Sequence, residues 1–269
     1  MTYHNIYLQR DLGIIGDFIH SYRKDITNEF RNNLHLYNMP KDYFDKKVVK
    51  IKYKRPNYIA HFIYLIKNFK NMGMIIRSHL GRTAYTSGTW KMEPLLYNKR
   101  WIWEPTNKIE TITWQQQDGI TFGTRSAYDT IKQHYPKLTE MIDKLRNEYG
   151  MDCVNKATYS ILISGGVIGV HTGKDNIHSK YVRCHIPLII PKHKKEELYL
   201  EAGGDKVHWT ETWGFDNQTP HTAKNITNYH RLVFIIDISR DALRLTKKNK
   251  TSKLSAHIKR LINTGKEYN

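Results

Sequence analysis

The N-terminal part of the chain has apolar side chains at helical spacing. Across residues 12–34 an apolar residue recurs every three or four positions, which predicts an amphipathic helix that Asp11 caps and that ends before Pro40. A second stripe with this period follows Pro136 and ends at Gly150. Both stretches therefore predict helices that bury one face against a core.

From residue 156 onward the pattern changes to short β-type segments. Apolar residues fill or alternate along each segment, and turns such as Gly165-Gly166 and Gly203-Gly204 separate one segment from the next. Short strands with such turns are typical of a sandwich or barrel. Four tryptophans precede this region within 25 residues: Trp90, Trp101, Trp103 and Trp114. Aromatic residues at this density predict a packed sheet face, with a platform for a peptide or nucleobase as the alternative.

Composition limits the class of protein and its partners. The chain has 269 residues with 39% hydrophobic and 12% aromatic residues, which indicates a globular protein of one or two domains. It has no transmembrane-length apolar run and no signal-peptide layout, so we expect a cytoplasmic or intracellular protein. With two cysteines, Cys153 and Cys184, no disulfide framework is expected. Alternation places Cys184 on the opposite strand face from its neighbours, in packing.

The net charge of +18 is large and concentrated in two stretches. Residues 46–91 contain eleven Lys and Arg and no acid, and residues 240–269 contain nine against two acids. Such patches attract polyanions, so nucleic acid is a possible partner. A general enrichment of the chain in Lys, Asn, Ile and Tyr would give the same charge without any partner.

The last third of the chain contains residues that fit a metal site beside an anion pocket. His171 and His221 lie far apart in sequence, and Arg231 follows His221 by ten residues at the start of an apolar run. Imidazole suits Fe(II), and a planar guanidinium matches the distal carboxylate of 2-oxoglutarate. An arginine that enters a buried strand also needs a charge partner. The alternative is two ordinary packing histidines and a strand-end arginine that reaches solvent.

Six short motifs between residues 159 and 238 resemble the aspartyl/asparaginyl β-hydroxylase family of Fe(II)/2-oxoglutarate-dependent dioxygenases. In chain order they are Tyr159-Ser160-Ile161-Leu162, His171-Thr172-Gly173, Arg183-Cys184-His185-Ile186, Phe215-Asp216, His221, and Arg231-Leu232-Val233-Phe234-Ile235-Ile236-Asp237. The resemblance implies an α+β fold whose core is a double-stranded β-helix, a jelly roll of the cupin kind with flanking helices.

The resemblance also implies an iron site with two protein ligands, His171 and His221. The family lacks the carboxylate that usually completes such a site, and here Gly173 stands two positions after His171. Water or another ligand would fill that position, and a halide there would make halogenation a minor alternative. Asp175 is a conceivable third ligand, although it matches no carboxylate of the family.

The remaining matched residues are implied to bind the cosubstrate and the substrate. Arg231 would bind the distal carboxylate of 2-oxoglutarate, His185 and Ser160 would assist it, and Arg183 would face the substrate. With Fe(II), 2-oxoglutarate and O2, the reaction would hydroxylate an unactivated C–H bond of a peptide or protein side chain or a small molecule. Two alternatives stay open: an oxygenase of the same class acting on nucleic acid, and a non-catalytic jelly-roll binding module.

These features predict three parts of the chain. Residues 1–128 form a basic, aromatic-rich region packed on the core. Residues 129–240 form the double-stranded β-helix with a leading helix, and residues 241–269 form a basic tail.

Overall fold

A computed structural model describes residues 6–48, 90–103, 127–171, 180–219 and 221–243, and for residues 169–171 the description covers the backbone. Its helices are α1 (Gln9–Ser21), α2 (Arg23–Asn32), α3 (Tyr128–His134) and α4 (Pro136–Tyr149), with 3-10 turns at Leu34–Tyr37 and Met151–Cys153. Its strands are β1 (Ile6–Leu8), β2 (Trp90–Tyr97), β3 (Arg100–Trp101), β4 (Val154–Leu162), β5 (Gly166–His171), β6 (Tyr181–Ile189), β7 (Leu198–Ala202), β8 (Asp205–Val207), β9 (Trp213–Phe215), β10 (His221–Asn225) and β11 (Arg231–Ser239).

Strands β4 to β11 are divided between two antiparallel sheets, and they alternate between them except for the hairpin β7–β8, which lies in the small sheet. The large sheet has the order β1-β9-β6-β11-β4-β2-β3, and the small sheet has the order β5-β10-β7-β8. Each sheet thus takes four of these eight strands, which is the winding of a double-stranded β-helix. The predicted α+β fold with a jelly-roll, cupin-like core and flanking helices is confirmed.

The two faces of the large sheet bury two separate clusters of side chains. Along β11, Leu232, Phe234 and Ile236 belong to the larger cluster, which the helices cover. Val233 and Ile235, on the other face, belong to the cluster enclosed between the two sheets. This alternation follows the period of two residues along a strand, and it places the polar members of the inner face inside the barrel.

Both helical stretches have the predicted apolar faces. The second ends at Gly150 as predicted, because α4 covers Pro136–Tyr149 with Gly150 as its C-cap, whereas the N-terminal stretch divides into α1 and α2. Asp11 was predicted as a cap, and this is wrong, because α1 begins at Gln9 and Asp11 lies inside its first turn. The side chain of Asp11 accepts a hydrogen bond of 2.9 Å from the backbone N–H of Leu8, the last residue of β1. The carboxylate thus satisfies a backbone donor where the strand passes directly into the helix. Cys184 is buried in the larger cluster, which the helices cover, as its alternation with its neighbours predicts.

Strands from the first 128 residues complete the large sheet. β2 pairs with β4, and β1 pairs with β9, so both edges of the core receive N-terminal strands. The division of the chain at residues 128 and 240 stays a prediction. Most of the basic residues in 46–91, Trp114 and nearly all of the tail lie outside the described residues. Within the described residues, no helix is long and apolar enough to cross a membrane.

His230 holds the turn that leads into β11, and its lowered pKa predicts that stability depends on pH. Its Nδ1 accepts a 3.0 Å hydrogen bond from the backbone N–H of Ser164, at the end of β4. Burial, with repulsion from Lys91, lowers the pKa of His230 to about 4, from an ordinary value of 6.5. Because the unfolded chain binds the proton more readily, the free energy of unfolding falls as the pH drops from 6.5 to about 4.

We expect His230→Asn, which keeps an acceptor but does not titrate, to remove part of this acid sensitivity. The unfolding free energy of the parent should fall by about 1–3 kcal/mol more than that of the variant between pH 7 and pH 4. Urea titrations across this range measure the difference. The exposed His35 provides the control, because His35→Asn should leave the pH profile unchanged. Parallel profiles for the parent and His230→Asn would contradict the prediction.

Candidate active site

His221 and His171 are paired in the backbone register of two strands of the small sheet. The register places His221, the first residue of β10, opposite His171, the last residue of β5, and a bulge lies between His221 and Ala223. Directly paired positions of antiparallel strands have Cα atoms about 4.5–5.5 Å apart. The fold therefore brings together two histidines that are 50 positions apart in sequence.

The imidazole of buried His221 is held in one orientation. Its Nδ1 lies 2.8 Å from the carbonyl oxygen of Thr219. Because a carbonyl accepts and cannot donate, Nδ1 carries the hydrogen, and Nε2 of the neutral ring carries the lone pair. Metal-binding histidines are typically oriented by such a bond from their other ring nitrogen. The lone pair on Nε2 of His221 is thus suited to bind a metal ion.

Arg231 is a fully buried cation at the start of β11. Its side chain is 1% exposed, and its Nε has no hydrogen-bond partner in the part of the chain that the structure describes. Its guanidinium lies 4.5 Å above the ring of Trp209. Burial lowers the pKa of Arg231 to about 9. No described carboxylate forms an ion pair with it, so the barrel contains a positive charge that lacks a protein counter-ion among these residues.

Ser160 on β4 lies beside Arg231 and accepts two hydrogen bonds. Its Oγ lies 3.3 Å from Nη2 of Arg231 and 2.8 Å from Nε1 of Trp90. Guanidinium and indole groups donate and do not accept. Both lone pairs of the serine hydroxyl are therefore engaged, and its O–H hydrogen points to neither of these neighbours.

His185 on β6 is the fourth member of what we call the Arg231 pocket, with Arg231, Ser160 and Trp209. It contacts the N–H edge of Trp209, whose ring face contacts Arg231. Its Nδ1 accepts a hydrogen bond of 3.2 Å from Nε1 of Trp209. Burial, followed by the charges of Arg231 and Arg183, holds the pKa of His185 well below its usual value. The ring is consequently neutral, and its hydrogen lies on Nε2.

Aromatic rings connect this pocket with His221. Trp213 stacks on His185 with centroids 4.6 Å apart, and Phe215 contacts His185 edge-on at 5.7 Å. The ring of Phe215 also meets that of His221 at 4.8 Å. The glycine between them, Gly214, leaves no room for a Cβ, which would lie 2.7 Å from Cγ1 of Val182. Close packing of β9 on β6 thus links His221 and the Arg231 pocket through a continuous series of ring contacts.

Arg183 lies on the same face of β6 but is held by protein groups. It makes a bidentate pair with Asp237, at 2.8 and 2.9 Å, and its Nη1 donates to Oδ1 of Asn217 at 2.8 Å. Asp237 is 1% exposed, so this pair is largely shielded from water. The assignment of Arg183 to the substrate stays a prediction, and Asp237 is the partner that positions it.

Gly173 and the conceivable third ligand Asp175 lie within residues 172–179, outside the described residues. Two further histidines, which match none of the motifs, bond backbone carbonyl groups. His193 bonds the Pro191 carbonyl through Nδ1 at 2.7 Å, and His208 bonds the Leu198 carbonyl at 3.0 Å. Among the described side chains, which exclude that of His171, no three His, Cys, Asp or Glu residues lie close enough to hold a metal together.

Sequence reasoning missed three contacts of this site: that of Trp209 with His185 and Arg231, that of Asp237 with Arg183, and that of Trp90 with Ser160. Asp237 had a usable signal, because it lies six residues after Arg231 on an alternating strand and must share its face. Trp209 had none, since a tryptophan in a short polar segment does not reveal which ring or cation it will contact.

Comparisons with known proteins agree with this arrangement at the level of the family. A family model described as aspartyl/asparaginyl beta-hydroxylase matches residues 72–241. No curated protein matches the chain significantly.

Several solved structures are similar over part of the chain. A predicted oxalate decarboxylase from Thermotoga maritima is 14% identical, with 36% of this chain and 72% of that chain covered and a TM-score of 0.26. A Cupin 2 conserved barrel domain protein from Salinispora arenicola is 12% identical, with 35% and 70% covered and a TM-score of 0.23. A nickel complex of the non-heme monooxygenase ThoJ is 15% identical, with 42% and 54% covered and a TM-score of 0.28. At these values none of the likenesses assigns an activity.

Proposed function

Because the chain belongs to the aspartyl/asparaginyl β-hydroxylase family, we propose that it is an Fe(II)/2-oxoglutarate-dependent dioxygenase that hydroxylates an unactivated C–H bond. The observation that carries the cosubstrate assignment is the buried guanidinium of Arg231, whose Nε has no partner among the described residues. A dicarboxylate with one end at Arg231 would supply the missing counter-charge.

The residues present fit the implied metal. His221, with its lone pair on Nε2, and His171, opposite it in the register, would hold Fe(II). When bound together with 2-oxoglutarate and O2, the iron supplies the oxidising power that attacks an unactivated C–H bond. Imidazole is a suitable ligand for this ion.

The protein's own contribution is binding, orientation and exclusion of water. Arg231 and Ser160 would hold the far carboxylate of the cosubstrate, with His185 beside them on the inner face. The rings of Trp209, Trp213 and Phe215 shield these polar groups, because all three are at most 2% exposed. Exclusion of water by these rings strengthens charge pairing and protects reactive species from water. Arg183, aligned by Asp237, would orient the substrate.

Uncoupled turnover tests this proposal without knowledge of the substrate. The anaerobic protein is loaded with Fe(II) and 2-oxoglutarate, then exposed to O2, and succinate is quantified. We expect slow succinate formation that requires iron, 2-oxoglutarate and O2 together. Binding of 2-oxoglutarate without any succinate, in the presence of candidate substrates as well, would indicate a binding module instead.

The substrate is proposed to be a peptide or protein side chain or a small molecule. Candidates are screened for an O2-dependent gain of one oxygen atom in mass. The net charge of +18 favours nucleic acid as the second class to test. If nucleic acid is the substrate, oligonucleotides should accelerate succinate formation, and this acceleration should fall steeply with salt because bound phosphates release counterions. Acceleration by a peptide, unaffected by oligonucleotide, would exclude that class.

A further inference from the structure

Two tryptophan N–H groups donate into the Arg231 pocket, and neither indole belongs to the motifs that suggested the site. Trp209 donates to His185, and Trp90 donates to Ser160. We propose that Trp209 and Trp90 are positioning residues that occupy the acceptor atoms of the pocket, so that it presents donors alone and accepts a carboxylate but not an amide. The identity of the carboxylate, the distal group of 2-oxoglutarate, rests on the proposed function.

The indole of Trp209 determines which ring nitrogen of His185 carries the hydrogen. A neutral imidazole has one acceptor nitrogen and one donor nitrogen, and either nitrogen can take either role. The Trp209 N–H has a hydrogen to give and no lone pair to offer, and it points at Nδ1 from 3.2 Å. This contact fixes the hydrogen of His185 on Nε2, where no described residue accepts it. His185 therefore offers its Nε2–H group as a donor to a ligand bound beside it.

Two donors likewise leave Ser160 with only its hydrogen to offer. Trp90 Nε1 at 2.8 Å and Arg231 Nη2 at 3.3 Å occupy the two lone pairs of its Oγ. A serine hydroxyl with both lone pairs engaged can interact with a further ligand through its hydrogen. Trp90 is 8% exposed and belongs to the cluster between the sheets, which keeps this bond out of water.

Trp209 has a second contact that serves the same ligand. Its ring face lies under the guanidinium of Arg231 at 4.5 Å, while its N–H edge points to His185. The ring thus packs against the guanidinium, while Nε of Arg231 has no partner among the described residues. The pocket therefore contains three kinds of donor and no vacant acceptor on these residues. A carboxylate only accepts, whereas an amide would direct its own N–H groups at these donors.

The tautomer of His185 in the unmodified protein is the first test. Protein labelled with 15N histidine gives distinct shifts for protonated and unprotonated ring nitrogens, and His185→Gln identifies the signals of this residue. We expect His185 to carry its hydrogen on Nε2 throughout the neutral pH range, with or without metal. A hydrogen on Nδ1, or a mixture of tautomers, would overturn the inference.

Trp209→Phe and Trp213→Phe form a matched pair for the second test. Both rings lie near His185, but Nε1 of Trp213 is buried without a hydrogen-bond partner in the described structure. Trp209→Phe should therefore shift His185 toward a mixture of tautomers, and Trp213→Phe should leave the tautomer fixed. Equal effects of the two substitutions would mean that the N–H of Trp209 does not set the tautomer. The measurement on the parent stands independently if either variant fails to fold.

Discrimination between 2-oxoglutarate and 2-oxoglutaramate, its distal amide, is the third test. Zn²⁺ replaces Fe(II), because it has no redox chemistry and the complexes then do not turn over. We expect the amide to bind roughly ten- to hundredfold more weakly to the parent and to Trp213→Phe. The double variant Trp90→Phe/Trp209→Phe should lose at least half of this discrimination on a logarithmic scale, since Ser160 and His185 regain acceptors.

The outcomes separate this inference from the proposed function. Equal affinity of the parent for the acid and the amide would overturn the donor-only pocket and leave an oxygenase with a less selective pocket. If the double variant prefers the acid over the amide as strongly as the parent does, this preference comes from Arg231 alone, and the two tryptophans do not contribute to it. If the parent binds neither compound while His185 shows the Nε2 hydrogen, the proposed cosubstrate is wrong, and the role of Trp209 in setting the tautomer stands.

Discussion

Replacing His221 with Ala is expected to lower the affinity for Fe(II) more than ~100-fold, because loss of a partner that merely orients a metal ligand already costs about 10- to 100-fold. The proposed site has two protein ligands, so each removal leaves a single imidazole. His171→Ala should have the same effect, since the register places it opposite His221. Titration of Fe(II) and 2-oxoglutarate under anaerobic conditions, followed by the absorbance of their complex, measures this loss.

His193→Ala is the matched control for this experiment. His193 and His221 make the same local contact, from Nδ1 to the carbonyl two residues earlier, at 2.7 and 2.8 Å. A local bond of this kind therefore does not by itself distinguish a ligand from an ordinary histidine, and the difference lies in the opposite residue across the sheet. We expect His193→Ala to retain the parent's iron complex. An intact complex in both His171→Ala and His221→Ala would refute the ligand assignment.

The apolar pattern of a strand indicates its two faces but not its neighbours in the sheet. Side chains along β11 alternate between the two faces of the large sheet, and Val233 and Ile235 lie on the face inside the barrel. Strand pairing brings His221 opposite His171, and this follows from the order of the strands in the double-stranded β-helix, which the motif resemblance implied. The sequence, through its resemblance to the family, therefore predicted the fold. The roles of His171 and His221 as metal ligands stay predictions.

Contacts between neighbouring pocket residues were much harder to predict. That Arg183 would be held by Asp237 depends on the register between β6 and β11, which pairs these two residues directly. That Trp209 would contact both Arg231 and His185 depends on the path of the chain between β8 and β9, which places its ring in the cluster between the two sheets. The end of a helix is similarly context-dependent: α1 and α2 separate at Tyr22, where neither Gly nor Pro marks a break.

Replacing Arg231 with Met is expected to abolish most cosubstrate binding while leaving the protein as stable as the parent or more stable. A charge-assisted pair is worth about 1.5–3 kcal/mol, so the affinity for 2-oxoglutarate should fall roughly ten- to hundredfold. Stability should not fall in parallel, because Arg231 is a buried cation without a described carboxylate partner, and a side chain of similar length fills its space. A purely structural arginine would show the opposite, a loss of stability.

Thermal unfolding with and without 2-oxoglutarate and Zn²⁺ measures both effects in one experiment. The parent should be stabilised by the ligand according to its concentration and affinity, and Arg231→Met should lose this shift. Arg231→Lys, which keeps the charge but not the fork, should recover part of it. Arg240→Ala is the control, since Arg240 pairs with Asp216 at 2.7 Å and lies at the far end of β11. If Arg231→Met retains the full ligand-induced shift, the carboxylate binds elsewhere in the barrel; if it unfolds at a much lower temperature than the parent, Arg231 serves the fold rather than the ligand.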